Sequence, residues 1–211
     1  MSPTDDVILA RVETAPLRLV ILASGAGSLA RAVLEAAAQP AAPFLVVGVG
    51  ADRPAPVLAI AREHGVPTFT VAPGDFPTRA LWDEALTRSV ATFRPDAVVS
   101  AGFMRILGPA FLAAYQGRTL NTHPALLPAF PGNHAVADAL AAGATQTGCT
   151  IHWVDAGVDT GPVVDTRHVA ITPDDTVDTL HERIKIRERE MLTTTLARLA
   201  RGDLAFPQES S

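Results

Sequence analysis

A chain of 211 residues, 48% hydrophobic, is long enough to bury a full core, and one domain is the expectation. Its 17 basic and 22 acidic residues leave a formal charge of −5 with no dense basic run. That argues against nucleic acid or an anionic membrane as partner, because neutralising phosphates needs clustered Lys and Arg.

Along the chain, residues 1–16 carry Asp5 and Asp6 and lack a long apolar core. They fit neither a signal peptide nor a membrane span, and read as a disordered lead-in on a cytoplasmic protein. Residues 17–23 form an apolar run, closed by Ser24-Gly25-Ala26-Gly27-Ser28 and followed by an Ala/Leu helix to about residue 38. A second apolar run covers 44–50, a helix 56–64, a short strand 68–71 and a longer helix 78–93, with Leu81, Ala85, Leu86 and Val90 at helical spacing. A fourth buried strand covers 96–101. Continuous apolar strands divided by helices predict βαβ units and a parallel sheet covered on both faces.

After residue 117 the rhythm changes. A short strand over 119–122 delivers Asn121 and His123, then comes a loop with Pro124, Pro128 and Pro131 and an Ala-rich helix near 134–142. Runs 147–154 and 163–171 read as paired strands, and 175–201 as a terminal helix started by Thr172-Pro173-Asp174-Asp175. Residues 203–211 read as a flexible tail. The expected fold is thus one α/β domain over 17–202: a mostly parallel twisted sheet flanked by helices, Rossmann-like, with a C-terminal antiparallel strand pair and a long last helix. No repeat, linker or second domain is visible.

Three constellations carry chemistry. The loop Ser24-Gly25-Ala26-Gly27-Ser28 joins a strand to a helix, where free N–H groups and the helix dipole favour a phosphate. With Ala30 it also fits G-x-G-x-x-A, and Asp52 follows the second strand, so a dinucleotide is an alternative, as is a simple tight turn. Asn121 and His123 are two apart, so on a strand both project from one face. Asp159 lies in Asp155-Ala156-Gly157-Val158-Asp159-Thr160-Gly161-Pro162, a loop between strands that could fold over them. An amide, an imidazole and a carboxylate at one point can stabilise an oxyanion and move a proton, the equipment of acyl transfer without a metal or a nucleophilic side chain.

The remaining candidates read as structural. His134 follows the proline loop and is expected to line the pocket; His152 alternates with apolar residues and is expected to be internal; His64, His168 and His181 are expected at the surface. Cys149, the only cysteine, lies in a buried strand and excludes a disulfide framework or multi-cysteine metal site. Arg183, Lys185, Arg187 and Arg189 alternate with acids as on a solvated helix face. No H-x-x-x-H or H-x-E spacing suggests a metal, and no G-x-S-x-G elbow suggests a serine hydrolase.

Taken in order, several motifs resemble one family, phosphoribosylglycinamide formyltransferase, across residues 17–199. They are Ser24-Gly25-x-Gly27-Ser28, Ala101-Gly102-Phe103-Met104-Arg105-Ile106-Leu107, Asn121-x-His123-Pro124-x-Leu126-Leu127-Pro128, Phe130-Pro131-Gly132, Gly148-Cys149-Thr150 and Asp159-x-Gly161-Pro162. The resemblance implies a catalytic trio of Asn121, His123 and Asp159. It implies that Gly27, Ser28 and Leu29, with Gly25 and Pro124, meet the nucleotide phosphate end. Lys185, Ile186, Arg187 and Glu188 fall on the sugar-binding stretch. Met104, Arg105, Ile106 and Leu107 fall on the folate pocket, as do Asn121 and the loop of Asp155, Ala156, Gly157, Val158 and Asp159. Arg79 falls near the folate's glutamate tail, and Leu127–Pro128 on a cis bond. In two places this chain departs from the family: Ala26 and Leu29 stand where Asn is usual, removing side-chain contacts to the phosphate, and Asp52 stands where Asn is frequent, at a position expected to be peripheral.

The activity implied is transfer of the formyl group of 10-formyltetrahydrofolate, as co-substrate and without a metal, to the amine of 5-phosphoribosylglycinamide in purine synthesis. Alternatives sharing the core are formyltetrahydrofolate deformylase, for which a lead-in of 1–16 is too short to supply the usual extra N-terminal domain, and sugar-nucleotide N-formyltransferase. Methionyl-tRNA formyltransferase adds a C-terminal domain that this chain is not expected to carry. From other classes come a dinucleotide-binding oxidoreductase, which leaves the trio unexplained, and a silent folate binder. The partners expected are small molecules only, with no nucleic acid or membrane; the protein is a monomer or a homodimer, the 78–93 helix serving either a dimer contact or the core.

Overall fold

Leu19 and Ile21 pack on one side of their strand, Val20 and Leu22 on the other, and all four are fully buried. That period-two burial on both faces marks a central strand covered from both sides, each such side chain contributing roughly 2 kcal/mol over exposure. The structure, a computed structural model, describes residues 15–207; nearly all of the expected 1–16 lead-in and the end of the expected 203–211 tail lie outside them.

The strands are β1 (Leu17–Leu22), β2 (Phe44–Ala51), β3 (Thr68–Thr70), β4 (Ala97–Ser100), β5 (Thr119–His123), β6 (Gln146–Trp153) and β7 (Val163–Ala170). The helices are α1 (Ser28–Ala37), α2 (Pro56–Glu63), α3 (Arg79–Ala91), α4 (Pro109–Tyr115), α5 (Ala135–Ala141) and α6 (Val177–Arg201). One sheet holds all seven strands in the order β3-β2-β1-β4-β5-β6-β7. Strands β1 to β5 run parallel, while β6 pairs antiparallel with β5 and β7 antiparallel with β6. This is the expected single α/β domain. Helices α1, α2, α5 and α6 cover one face, and α3 and α4 the other.

The chain leaves β1 toward β2 in one direction and returns through α3 to β4 on β1's other side. Strand order reverses there, so the loops after β1 and β4 diverge and open a crevice at the carboxyl ends of the strands.

Helix α4 is absent from the sequence-based expectation. It has seven residues and begins on Pro109, with no side chain of its own capping it. The cap comes from α3: the buried Asp83 carboxylate accepts from the N–H groups of Gly108 (2.7 Å), Ala110 (2.8 Å) and Phe111 (3.2 Å). So short a helix is not stable alone and leaves little periodic signal. Helix α6 begins at Val177, two residues later than expected, with Thr176 and Thr179 forming a reciprocal capping box. Beyond α6, Leu204 and Phe206 pack against the core, and the Phe206 ring lies 5.8 Å from that of Trp153. This stretch, expected to be part of a flexible tail, is held by apolar contact.

Candidate active site

The cavity at the crevice measures about 710 Å³ and is lined by the loops after β1, β4 and β5, the loop between β6 and β7, and one face of α6. Its centre is polar. Asn121 and His123 project from the end of β5, and antiparallel pairing sets His152 of β6 directly opposite Asn121. Asp159 arrives from the β6–β7 loop with φ of 55°, a left-handed conformation that a non-glycine residue keeps only when its surroundings fix it. The surroundings are visible. Gly132 N–H donates to Asp159 Oδ2 at 2.8 Å, His123 Nδ1 lies 3.3 Å from the same oxygen, and His152 Nε2 lies 3.5 Å from Oδ1. The Asp155 carboxylate folds the loop behind it, accepting from Gly157 N–H at 3.0 Å and from the Thr160 hydroxyl at 2.8 Å.

Hydrogen-bond partners constrain the protons. His152 Nδ1 lies 3.0 Å from the Trp153 carbonyl, an acceptor, so that nitrogen carries a proton. In the neutral ring Nε2 is then a lone pair, and it accepts from Asn121 Nδ2 at 3.1 Å. The second N–H of that amide donates to Asp159 Oδ1 over a long 3.4 Å, a bond that an oxygen entering the cavity can displace. His123 differs: Nε2 meets the Phe130 carbonyl at 2.8 Å and Nδ1 meets the Asp159 carboxylate. Two acceptors flank that ring, so only the imidazolium satisfies both. The Gly132 N–H and the neighbouring His123 ring favour the ionised form of Asp159 over the penalty of burial.

On the α1 side, Gly25, Gly27, Ser28 and Leu29 line the cavity with Pro124. Gly27 has φ of 79°, and a Cβ there would lie 2.6 Å from Val57 Cγ2, so the position demands glycine. No side chain caps α1, which leaves its first-turn N–H groups free for an anion despite Ala26 and Leu29. Lys185 and Glu188 reach the cavity from α6, whereas Ile186 and Arg187 are exposed and outside it, Arg187 pairing with Glu190. The helical period puts 185 and 188 on one face and turns 186 and 187 away. Glu188 is 3% exposed, and burial pushes its carboxyl up to about 7, the Thr122 hydroxyl, Lys185 and Arg189 pulling the other way. The Thr122 hydroxyl itself is buried without a properly formed hydrogen bond.

On the α3 side, Met104, Arg105, Ile106 and Leu107 form the wall, with Met104 and Ile106 largely exposed to the cavity mouth. Arg79 lines it too, hydrogen-bonded to the Ile106 carbonyl and stacked over Trp82 at 5.8 Å. Asp155, Gly157 and Val158 close the cavity from the β6–β7 loop, and Ala156 points out of it. The Leu127–Pro128 bond is cis.

Three expectations change. His134 is exposed and outside the cavity, its place taken by Asn133, because His134 sits at the start of α5 and turns outward. His181, expected at the surface, lines the cavity and is half-buried. Asp52 is not peripheral: it is 2% exposed and bound by Arg53 and Arg105, each at 2.7 Å. It does not face the cavity, and so is not placed to bind a dinucleotide's ribose. His152 is internal as expected, but it is also part of the site. The signal was its place in an antiparallel strand pair opposite Asn121, a register that sequence spacing alone does not fix.

An α/β crevice with an amide–imidazole–carboxylate cluster at its centre defines a class of acyl-transfer protein, and the chain belongs to the formyl transferase family, whose profile matches residues 17–196. It is 57% identical over 187 residues to the phosphoribosylglycinamide formyltransferase of Mycobacterium tuberculosis, covering 89% of this chain and 86% of that protein. Among solved structures, glycinamide ribonucleotide transformylase 1 from Symbiobacterium toebii superposes with a TM-score of 0.88 at 36% identity, covering 91% of each chain. Its counterpart from Geobacillus kaustophilus gives 0.84 at 40% identity, covering 88% of this chain and all of the other.

Proposed function

We propose that this chain transfers the formyl group of 10-formyltetrahydrofolate to the primary amine of phosphoribosylglycinamide, in purine synthesis in the cytoplasm. The observation that carries the reading is the convergence of Asn121, His123 and Asp159 midway between two unlike walls. One wall offers the uncapped α1 N-terminus to a phosphate, with Glu188 and Lys185 beside it for the sugar. The other offers Met104, Ile106 and Val158 as apolar surface for a flat ring.

The chemistry follows from the groups. The amine nitrogen attacks the formyl carbon, and the carbonyl electron pair moves onto oxygen. Asn121, its Nδ2 held by His152, donates its second N–H to that oxyanion, a contribution of ~3 kcal/mol to the barrier. The His123 imidazolium adds positive charge; presenting an N–H to the oxyanion requires releasing the Phe130 carbonyl or Asp159. Collapse breaks the bond to N10 of the folate, and the proton lost by the attacking amine goes to N10, with Asp159 holding the imidazolium throughout. Binding both substrates in one cavity supplies much of the remaining acceleration. No metal is required, and the enzyme acts as a monomer or homodimer on small molecules alone.

The test is the absorbance of a 10-formyl folate analogue mixed with the protein, with and without the nucleotide. Turnover only with the nucleotide supports the transferase. Turnover without it makes the protein a deformylase, and turnover with a sugar-nucleotide amine alone moves it to that substrate class.

A further inference from the structure

One buried carboxylate outside the cavity lining, Asp52, anchors a residue of the cavity wall, Arg105. Asp52 is the first residue after β2, the neighbour of β1, and is 2% exposed. Its Oδ2 accepts from Arg105 Nε at 2.7 Å and from Arg53 Nη2 at 2.7 Å, while Arg53 Nε lies 3.2 Å from both carboxylate oxygens. Burial disfavours the ionised carboxyl, but Arg53, the nearby Ser24 hydroxyl and Arg105 together hold it down at about 2. Ser24 in turn accepts the Met104 N–H at 2.8 Å and donates its own N–H to the Gly102 carbonyl at 3.1 Å. Ser24 opens the glycine loop; Met104 and Arg105 open the apolar wall. The end of β2 is therefore tied through Asp52 to Arg105 after β4, and the loop after β4 is tied through Ser24 to the end of β1.

Resting on the transferase reading above, we propose that Asp52 is a positioning residue for both substrates, holding the Arg105 guanidinium at the folate wall and the glycine loop in register with it. Asp52 faces neither substrate, so it acts only through Arg105 and Ser24. The Arg105 side chain is 39% exposed, and without its anchor it is free to sample solvent. Two guanidiniums against one carboxylate also leave one net positive charge at the rim, which suits an anionic ligand. Replacing the carboxylate by an amide of the same shape keeps the volume, removes the charge that gathers the two arginines, and leaves them to repel each other. Both arginines reach water, so their release costs the fold little.

Steady-state kinetics on the whole chain decides the matter, with Asp52→Asn, Arg105→Met and the double variant compared with wild type for both substrates. Asp52→Asn raises the folate KM about tenfold and the nucleotide KM about threefold, since the lost bonds are charge-assisted. Its kcat changes less than about twofold, because the trio is untouched. In the double variant the folate KM matches that of Arg105→Met alone, because both changes remove one interaction. Unchanged KM values in Asp52→Asn, fully additive effects, or a loss confined to melting temperature would overturn the assignment while leaving the transferase reading in place. A wild-type chain that turns over neither substrate overturns both.

Discussion

Asp159 holds a left-handed backbone while three groups, the Asn121 amide, the Gly132 N–H and the His123 ring, grip its carboxylate. Sequence reasoning reached Asn121, His123 and Asp159 through motif order, yet it could not supply His152, Thr122 or Asp52, whose roles depend on which strands are neighbours. If Asn121 donates to the oxyanion as proposed, Asn121→Ala lowers kcat by about 10²–10³-fold with a modest change in KM. Full activity in that variant would remove Asn121 from the mechanism. Asp159→Asn keeps the shape but gives His123 a neutral partner, and a comparable loss in kcat is expected. Glu188 makes a different prediction. Burial raises its carboxyl from 4.5 to about 7, so the folded state keeps a proton that the unfolded state has already released. Stability from this group is complete below the unfolded value and is lost as pH rises to the folded one. Thermal melting at about pH 5 and about pH 7.5 should therefore show Glu188→Gln gaining on wild type as pH rises. A constant difference would mean Glu188 titrates alike in both states.

The elements divide by how much of their stability is local. Strands β1, β2 and β4 were legible because continuous burial leaves continuous apolar runs, and α6 because its start signals and length agree. Helix α3 was legible in extent but not in orientation: Leu81, expected to face inward, is 42% exposed, while Trp82 and Asp83 turn in. Asp83 looks like a misplaced charge in sequence and is a cap in structure, holding the N-terminus of α4 just after the Met104–Leu107 wall. Asp83→Ala leaves three buried or half-buried N–H groups without a partner, and a loss of about 2–3 kcal/mol in urea unfolding is expected. An unchanged midpoint would show that α4 forms without that cap. The turn at Phe130 and Gly132, with φ of 54° and 88°, belongs to the same class of remote support. Its carbonyl and N–H hold His123 and Asp159, a pairing that no local propensity announces.

At the scale of the molecule, the sheet order places the uncapped α1 N-terminus and an apolar wall on opposite sides of one polar centre. The parallel half of the sheet supplies the crevice; the antiparallel β6 and β7 supply His152 and the loop that carries Asp159 across it. Composition and periodicity carry the α/β class and, α4 aside, the order of the main elements, but the reversal between β1 and β4 and the register of β6 are tertiary facts. Among the described residues no helix is long and apolar enough to cross a membrane. In the proposed reaction two substrates meet in this cavity and the formyl group passes directly to the amine. The measurement that tests it most directly is a single turnover with excess protein, nucleotide and a folate analogue labelled at the formyl carbon, with products separated by mass. Direct transfer puts the label in the formylated nucleotide, formed in step with loss of the formyl folate. Label recovered as free formate, at a rate indifferent to the nucleotide, would contradict it.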